Sequence, residues 1–281
     1  TGPRGTAADS EAIVSQDITP GARTRAVRRA LRRLLTLTSL VRVLCLVALL
    51  TAWEVKGRNS NRLLFAPFST VLRELWEQTT NGFIPKALLT SGGDLLYGFG
   101  TAAIVGVSLG LVIGRSLPLR DMASPYLSIL LTTPMVALTP IVLFAFGIGQ
   151  MARAALVFLF TLGQIMVNTC AGAQSVPAER LEMASAFGLG HAARLWQIVL
   201  PSASPAVMAG LRLGLGQSII GVLIAELTVS PVGIGGLLQM YASRFETADV
   251  LAVILAIGIF SSILFGLATL IERRVCRWTE T

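Results

Sequence analysis

Lysine is nearly missing from this chain. Its 281 residues hold only Lys56 and Lys86. Neither lysine sits in a GxxxxGK[ST] loop, so the ammonium that grips terminal phosphates in a P-loop is absent. Histidine occurs once, at His191, and cysteine three times, at Cys45, Cys170 and Cys276. These give no metal-ligand spacing, no even disulfide set and no nucleophile–base pair. No catalytic residue, no metal ligand and no cofactor of its own are therefore expected. Charge is scarce as well: 14% of residues are charged, against about 25% in soluble domains. With 53% hydrophobic residues and a mean hydropathy of +0.71, this excludes an ordinary soluble domain and indicates a polytopic membrane protein. The apolar runs also lack the series of buried carboxylates that a proton-driven carrier uses. Asp94 and Glu226 stand near span ends, and Glu54 near the outer end of the first run. Uphill movement of a solute would have to draw its energy from another subunit.

The fold class expected is all-α, with six transmembrane helices at roughly 38–55, 94–114, 123–147, 152–173, 204–228 and 249–271. Arg42, inside the first, can snorkel to the near interface. That run follows a long polar tail and has no small-residue cleavage site, so it reads as a span and not as a cleaved signal. With six spans, fourteen Lys and Arg fall on the side of the N-terminal tail, the 115–121 loop, the 175–201 segment and the C-terminus, and seven fall on the other. The positive-inside rule then makes both termini and the 175–201 segment cytoplasmic. The basic tail is a topology signal near anionic headgroups and not a nucleic-acid-binding arm.

Two parts are expected. Residues 1–33 form a basic, disordered cytoplasmic tail, in which Arg25–Leu35 has the pattern of a basic amphipathic surface helix. Residues 34–281 form the transmembrane domain. Its longest outer segment, 56–93, contains Phe68–Gln78 at helical spacing, with Ser69 or Thr70 as N-cap, packing at the interface. In the second span Ala102, Gly106, Gly110 and Gly114 give a smooth face for close helix approach, and Gly210 and Gly214 repeat it in the fifth. The third span is interrupted by Pro125, Pro134 and Pro140, beside Thr132, Thr133 and Thr139. Freed carbonyls there need a water-filled cavity or covering helices; the residues leave both open.

The polar stretch Ser175–Pro201 separates two long apolar runs and reads as a helix-turn-helix. Ser175 is its expected cap, Pro177 lies in the first turn, Glu179 favours the positive N-terminal end, and Gly188 ends the first helix. A second helix over 191–199 then runs to Pro201. Ala184 and Ser185 are small enough for a partner surface to come close.

The spacing Glu182-Met183-Ala184, then Gly188, then Ile198, Leu200 and Pro201, resembles the EAA loop (EAA, three residues, G, nine residues, I-x-L-P) of the permease subunits of binding-protein-dependent ABC importers. Met183 replaces the middle alanine. Pro134–Gly149, Asn168–Glu179, Leu200–Gly214 and Ala225–Gly236 are similar to the branch that serves aliphatic sulfonates, taurine and nitrate, although that branch has a basic residue where Asp94 stands.

The resemblance implies a type I importer permease fold in the bacterial inner membrane. It also implies two ATP-binding subunits that hold ATP and Mg, a second permease chain, identical or homologous, and an extracytoplasmic solute-binding protein. Glu179, Glu182, Ala184, Ser185, Gly188, Ile198, Leu200 and Pro201 would couple to the ATPase. Uncharged polar groups at span depth, Thr132, Thr133, Gln164, Asn168 and Gln217, with Pro134 and Glu226, are the expected translocation path. The solute expected is a sulfonate-, taurine- or nitrate-like anion. The alternatives are a thiamine-precursor-like heterocycle, an ion-gradient carrier, or a membrane scaffold without flux.

Overall fold

The structure is a computed structural model that describes residues 20–61 and 64–276. Most of the expected 1–33 tail lies outside them. Residues 20–33 are helical, as part of α1, Pro20–Asn59, which also contains the first expected span. In α1 Thr51 returns its hydroxyl to Val47 O (2.8 Å), and Arg58 pairs with Glu54 one turn back at 2.7 Å.

Residues 60–276 form a separate compact unit. It opens with α2, Phe68–Thr80. Pro67 in extended conformation is its N-cap, so Ser69 and Thr70 fall inside the first turn and neither is the N-cap. α2 packs on α3, Phe83–Arg115, and α11, Thr247–Val275. Val71 is fully buried, and Gln78 Nε2 donates to Asp249 Oδ1 at 2.6 Å. The amphipathic spacing seen in the sequence thus packs α2 onto its own chain.

Among the described residues four helices are long and apolar enough to cross a membrane: α3, α11, α6 (Gln150–Gln174) and the run Ala192–Thr228 that contains α9, Leu200–Thr228. A bent pair meets the same length and hydropathy only when its halves are taken together: α4, Leu117–Thr132, and the 3-10 turn Met135–Leu138 running into α5, Thr139–Phe146. The two halves meet at 95°. The break falls at Thr133–Pro134: a residue before proline is forced out of the helical region, and Thr133 takes φ −67°, ψ 128°. Pro125 lies inside α4 without interrupting it, and Pro140 sits in the first turn of α5 where its missing N–H costs nothing. Of the three prolines expected to interrupt this span, one does.

Helix α6 is the centre of the unit, packed against α3 on one side and α9 on the other. Leu156, Val157 and Ile165 are fully buried along it. The small-residue face of α3 is the reason the helices come so close. A Cβ on Gly114 would lie 2.5 Å from Cys170 O, and one on Gly110 2.7 Å from Thr169 Cβ. The same face extends one turn beyond the expected stripe, to Gly98 against Val157. On the other side Gly210 meets Asn168 and Gly214 meets Ile165. Close backbone approach of this kind is how helices gain dispersion contacts where lipid offers no hydrophobic drive.

Between α9 and α11 lies α10, Gly233–Ser243, a helix the sequence reading does not contain. Its 11 residues span roughly 16 Å at 1.5 Å each, too short to cross. It packs against α3, α9 and α11.

Candidate functional site

Two polar regions stand out against this apolar frame. The first is the Ser175–Pro201 segment. α7, Ala178–Ala186, begins after Pro177, which is its N-cap in extended conformation. Ser175 does not cap it: Ser175 is helical, closes α6, and donates its hydroxyl to Gly172 O at 2.8 Å. At the other end Gly188 has φ +74°. Its N–H donates to Ser185 O (2.9 Å) and that of Leu189 to Ala184 O (3.1 Å). This is the paired 5→2 and 6→1 closure of a Schellman motif, with Gly188 as the left-handed residue the sequence predicts.

The return helix departs from expectation. It starts as α8, His191–Arg194, widens to a π-turn over Leu195–Val199, and continues straight into α9. The Leu200 N–H bonds Leu195 O, five residues back. Pro201 can offer no N–H to Gln197 and its ring would clash with that carbonyl; a widened turn of the π type accommodates it without a break. The hairpin's second arm and the fifth span are therefore one continuous helix, which begins near residue 192. The side chain of His191 lies outside the described residues.

Not all the expected docking residues face outward. Glu179, Glu182, Ser185 and Gly188 are exposed. Ala184 is 2% exposed and turned into its own chain, so it cannot be the small residue a partner approaches. Ile198, Leu200 and Pro201 are half-buried. The hairpin is held together by Arg194 Nη1 donating to Ser185 Oγ (2.7 Å) and Arg180 Nη1 to Ser202 Oγ (3.2 Å). Three large apolar side chains protrude instead: Met183 of the motif, and Phe187, 81% exposed at the turn, and Trp196, both missed by the sequence reading. An aromatic residue directly before the turn glycine in an otherwise polar loop is the signal that would have found Phe187.

The second region is the face around the α4–α5 break. Thr132, Pro134, Val136, Ala137 and Pro140 are exposed and Thr133 half-buried. Both threonine hydroxyls return to their own helix, Thr132 to Ser128 O (2.9 Å) and Thr133 to Ile129 O (2.7 Å). Asn168 Nδ2 donates to the main-chain carbonyl of Gln164 at 2.7 Å, so its amide is turned back onto α6. Gln217 is half-buried on α9, and no hydrogen bond joins it to them among the described residues. Toward the α3–α4 end, a cavity of about 350 Å³ opens between α4 and α6, lined among others by Arg120, Ser124, Ser128, Cys170 and Gln174.

Glu226, expected on the path, lies elsewhere. It is fully buried, accepts Ser91 Oγ–H at 2.6 Å, and accepts the Gly235 N–H at 2.7 Å. Ser91 Oγ in turn accepts the Ile234 N–H at 2.9 Å. Side chains from α9 and α3 thus cap the N-terminus of α10, whose free N–H groups would otherwise be unpaired at membrane depth. Glycine is required there, because a Cβ on Gly233 would overlap the Glu226 carboxylate and one on Gly235 would come 2.7 Å from Glu226 Cβ. Asp94, the departure from the sulfonate-type pattern, is also fully buried, and Arg153 Nε meets its Oδ2 at 2.6 Å. The acid on α3 is therefore matched by a base on α6.

Comparison with known proteins agrees with this geometry. Residues 102–277 match the family described as the inner membrane component of binding-protein-dependent transport systems. The nitrate import permease protein NrtB of Synechocystis sp. is 27% identical over 82% of this chain and 86% of its own length. The taurine transport system permease protein TauC of Escherichia coli is 32% identical over 63% of this chain and 64% of its own. The riboflavin transport system permease protein RibX of Chloroflexus aurantiacus is 27% identical over 83% and 88%. The match takes in the broken span, the hairpin, α9 and α11, well over half of the chain. This all-α protein with its type I permease architecture belongs to that family of inner-membrane components and is a permease of a binding-protein-dependent ABC importer.

Proposed function

We propose that this permease forms one half of a translocation path for a small polar anion of the sulfonate, taurine or nitrate kind. In this reading a separate ATPase drives it through the Ser175–Pro201 hairpin. The observation that carries the reading is the α4–α5 break. Non-helical backbone at membrane depth is tolerated only where protein covers it or water lines it. Here Thr132, Pro134 and Val136 are exposed on the chain's own surface. The break therefore faces a second permease chain across a wet path, and not lipid. The relatives named for nitrate and taurine support an anion, and the inner mouth is polar and of mixed charge, with Arg120 paired to Asp121 beside Ser124 and Ser128.

Coupling follows from the continuity of α8, the π-turn and α9. A pull on the hairpin is delivered to the fifth span as a lever, because no flexible joint lies between them. Glu182 and Ser185 present the polar contacts to the ATPase, and Phe187 and Met183 the apolar ones. Both termini and the hairpin are cytoplasmic in this reading, and an extracytoplasmic binding protein delivers the solute to the opposite face.

Cysteine accessibility tests the path. In a background with Cys45, Cys170 and Cys276 changed to serine, Thr133→Cys is expected to react with a small water-soluble thiol reagent. Ile104→Cys, on an exposed apolar position of α3, is expected to stay unreactive in the same membranes. Equal protection of both cysteines would place the break in lipid or dry protein and remove the path from it.

A further inference from the structure

On the hairpin's inner side lies a cavity of about 250 Å³ lined by Arg115, Ser116, Leu181, Arg194, Leu195 and Val199. Its chemistry is one-sided. It has two guanidinium groups and no carboxylate in its lining, and neither arginine is ion-paired among the described residues. Arg115 Nη1 donates to Ala173 O (3.1 Å) and Arg194 Nη1 to Ser185 Oγ (2.7 Å). Arg194 Nε is buried without any partner. A guanidinium has five donors, so most of this capacity is unspent. A second source of positive potential lies beside it. α4, 16 residues long, starts directly after Ser116, and no side chain caps that start. The free N–H groups and the dipole at such an end favour an anion.

The remaining wall is apolar, formed by Leu181, Leu195 and Val199. Just past Ser116, Leu117 is 65% exposed and Leu119 43% exposed. Exposed leucines flanking an arginine-lined cavity at the end of a span fit the boundary between headgroups and acyl chains. We propose that this cavity binds the phosphate of an anionic phospholipid headgroup, held by Arg115 and Arg194 at the start of α4, and that the lipid thereby braces the hairpin against the ends of α3 and α6. The assignment to the cytoplasmic leaflet rests on the orientation proposed above; the binding itself does not. Guanidinium groups match phosphate oxygens in charge and in fork geometry, and the leucines take up the glycerol and the first acyl carbons.

The test uses the full-length chain purified in a mild detergent, with bound lipid counted by native mass spectrometry. Phosphatidylglycerol, phosphatidylcholine and inorganic phosphate are titrated in turn. Micelles have no sides, so the site is read whether or not the orientation holds, and ATPase co-purification is scored separately. The expected result is preferential retention of phosphatidylglycerol, weakened about tenfold or more in Arg115→Gln/Arg194→Gln. The same charge removed as Arg273→Gln/Arg274→Gln on the exposed end of α11 should leave it unchanged. A thermal melt of each variant separates loss of lipid from loss of fold. Equal phosphatidylglycerol retention in the Arg115/Arg194 variant overturns the proposal. So does binding of inorganic phosphate with the same arginine dependence and no preference for lipid, which would make the ligand a soluble phosphate.

Discussion

Arg153→Ala is expected to destabilise the transmembrane unit by about 3–5 kcal/mol, the cost of leaving a buried charge without its partner. Asp94 is fully buried and its carboxylate is bonded to Arg153 at 2.6 Å from Nε and 3.4 Å from Nη2. Asp94 has no exposed surface through which water could solvate it once the guanidinium is gone. Desolvation makes the intact pair a poor net stabiliser, so the double change Asp94→Leu/Arg153→Leu should recover most of the loss. Unfolding of the purified variants in mixed micelles reads both. A single variant within about 1 kcal/mol of the parent would mean that the pair is solvated, contrary to its burial.

Gly188→Val is expected to cut solute uptake about tenfold or more while the spans stay folded. A β-branched residue at φ +74° is strained by roughly 1–2 kcal/mol, and each 1.4 kcal/mol is a factor of ten in the docked population. The space around Gly188 is open, with nothing within 4 Å of an added Cβ. The penalty is therefore backbone strain and not a clash. Relief of that strain means giving up the Schellman closure, and with it the position of Phe187 immediately before. Because the cause is conformational, the series should be graded: Gly188→Asn mildest, Ala next, Val worst. The measurement is uptake in vesicles alongside ATPase activity of the assembled complex. Equal uptake across the series would remove the turn from coupling.

The parts of this molecule that were legible in its sequence are those set by local chemistry. Pro134 ends α4 because the residue before a proline cannot stay helical, and Gly188 ends α7 because a left-handed position favours glycine. The small stripe on α3 announced a close neighbour, though not that the neighbour would be α6. What was hidden depends on residues far apart. Asp94 and Arg153 are 59 positions apart, and each alone looked like a charge near a span end. Glu226 reads as a path or gate residue until α10 folds back and offers its N-terminus. The start of α10, Gly233-Ile234-Gly235-Gly236, has the composition of a loop, and it becomes a helix only because Ser91 and Glu226 cap it from other elements. Ala184 went astray for a simpler cause. On a nine-residue helix a rotation of one position decides which face is inside, and only tertiary packing, with Leu181 set against the cluster around Val199, fixes it. Pro201 looked like a terminator, yet a π-turn carried the helix through.

The central claim is that the hairpin docks an ATPase and moves the fifth span. Affinity purification of the tagged full-length chain from its native membrane, in mild detergent, tests it most directly. The account predicts recovery of a P-loop ATPase with the parent chain and its loss when Glu182 and Gly188 are both changed, with the permease still folded and membrane-inserted. A chain that comes away alone, yet still drives uptake from an ion gradient, would contradict it.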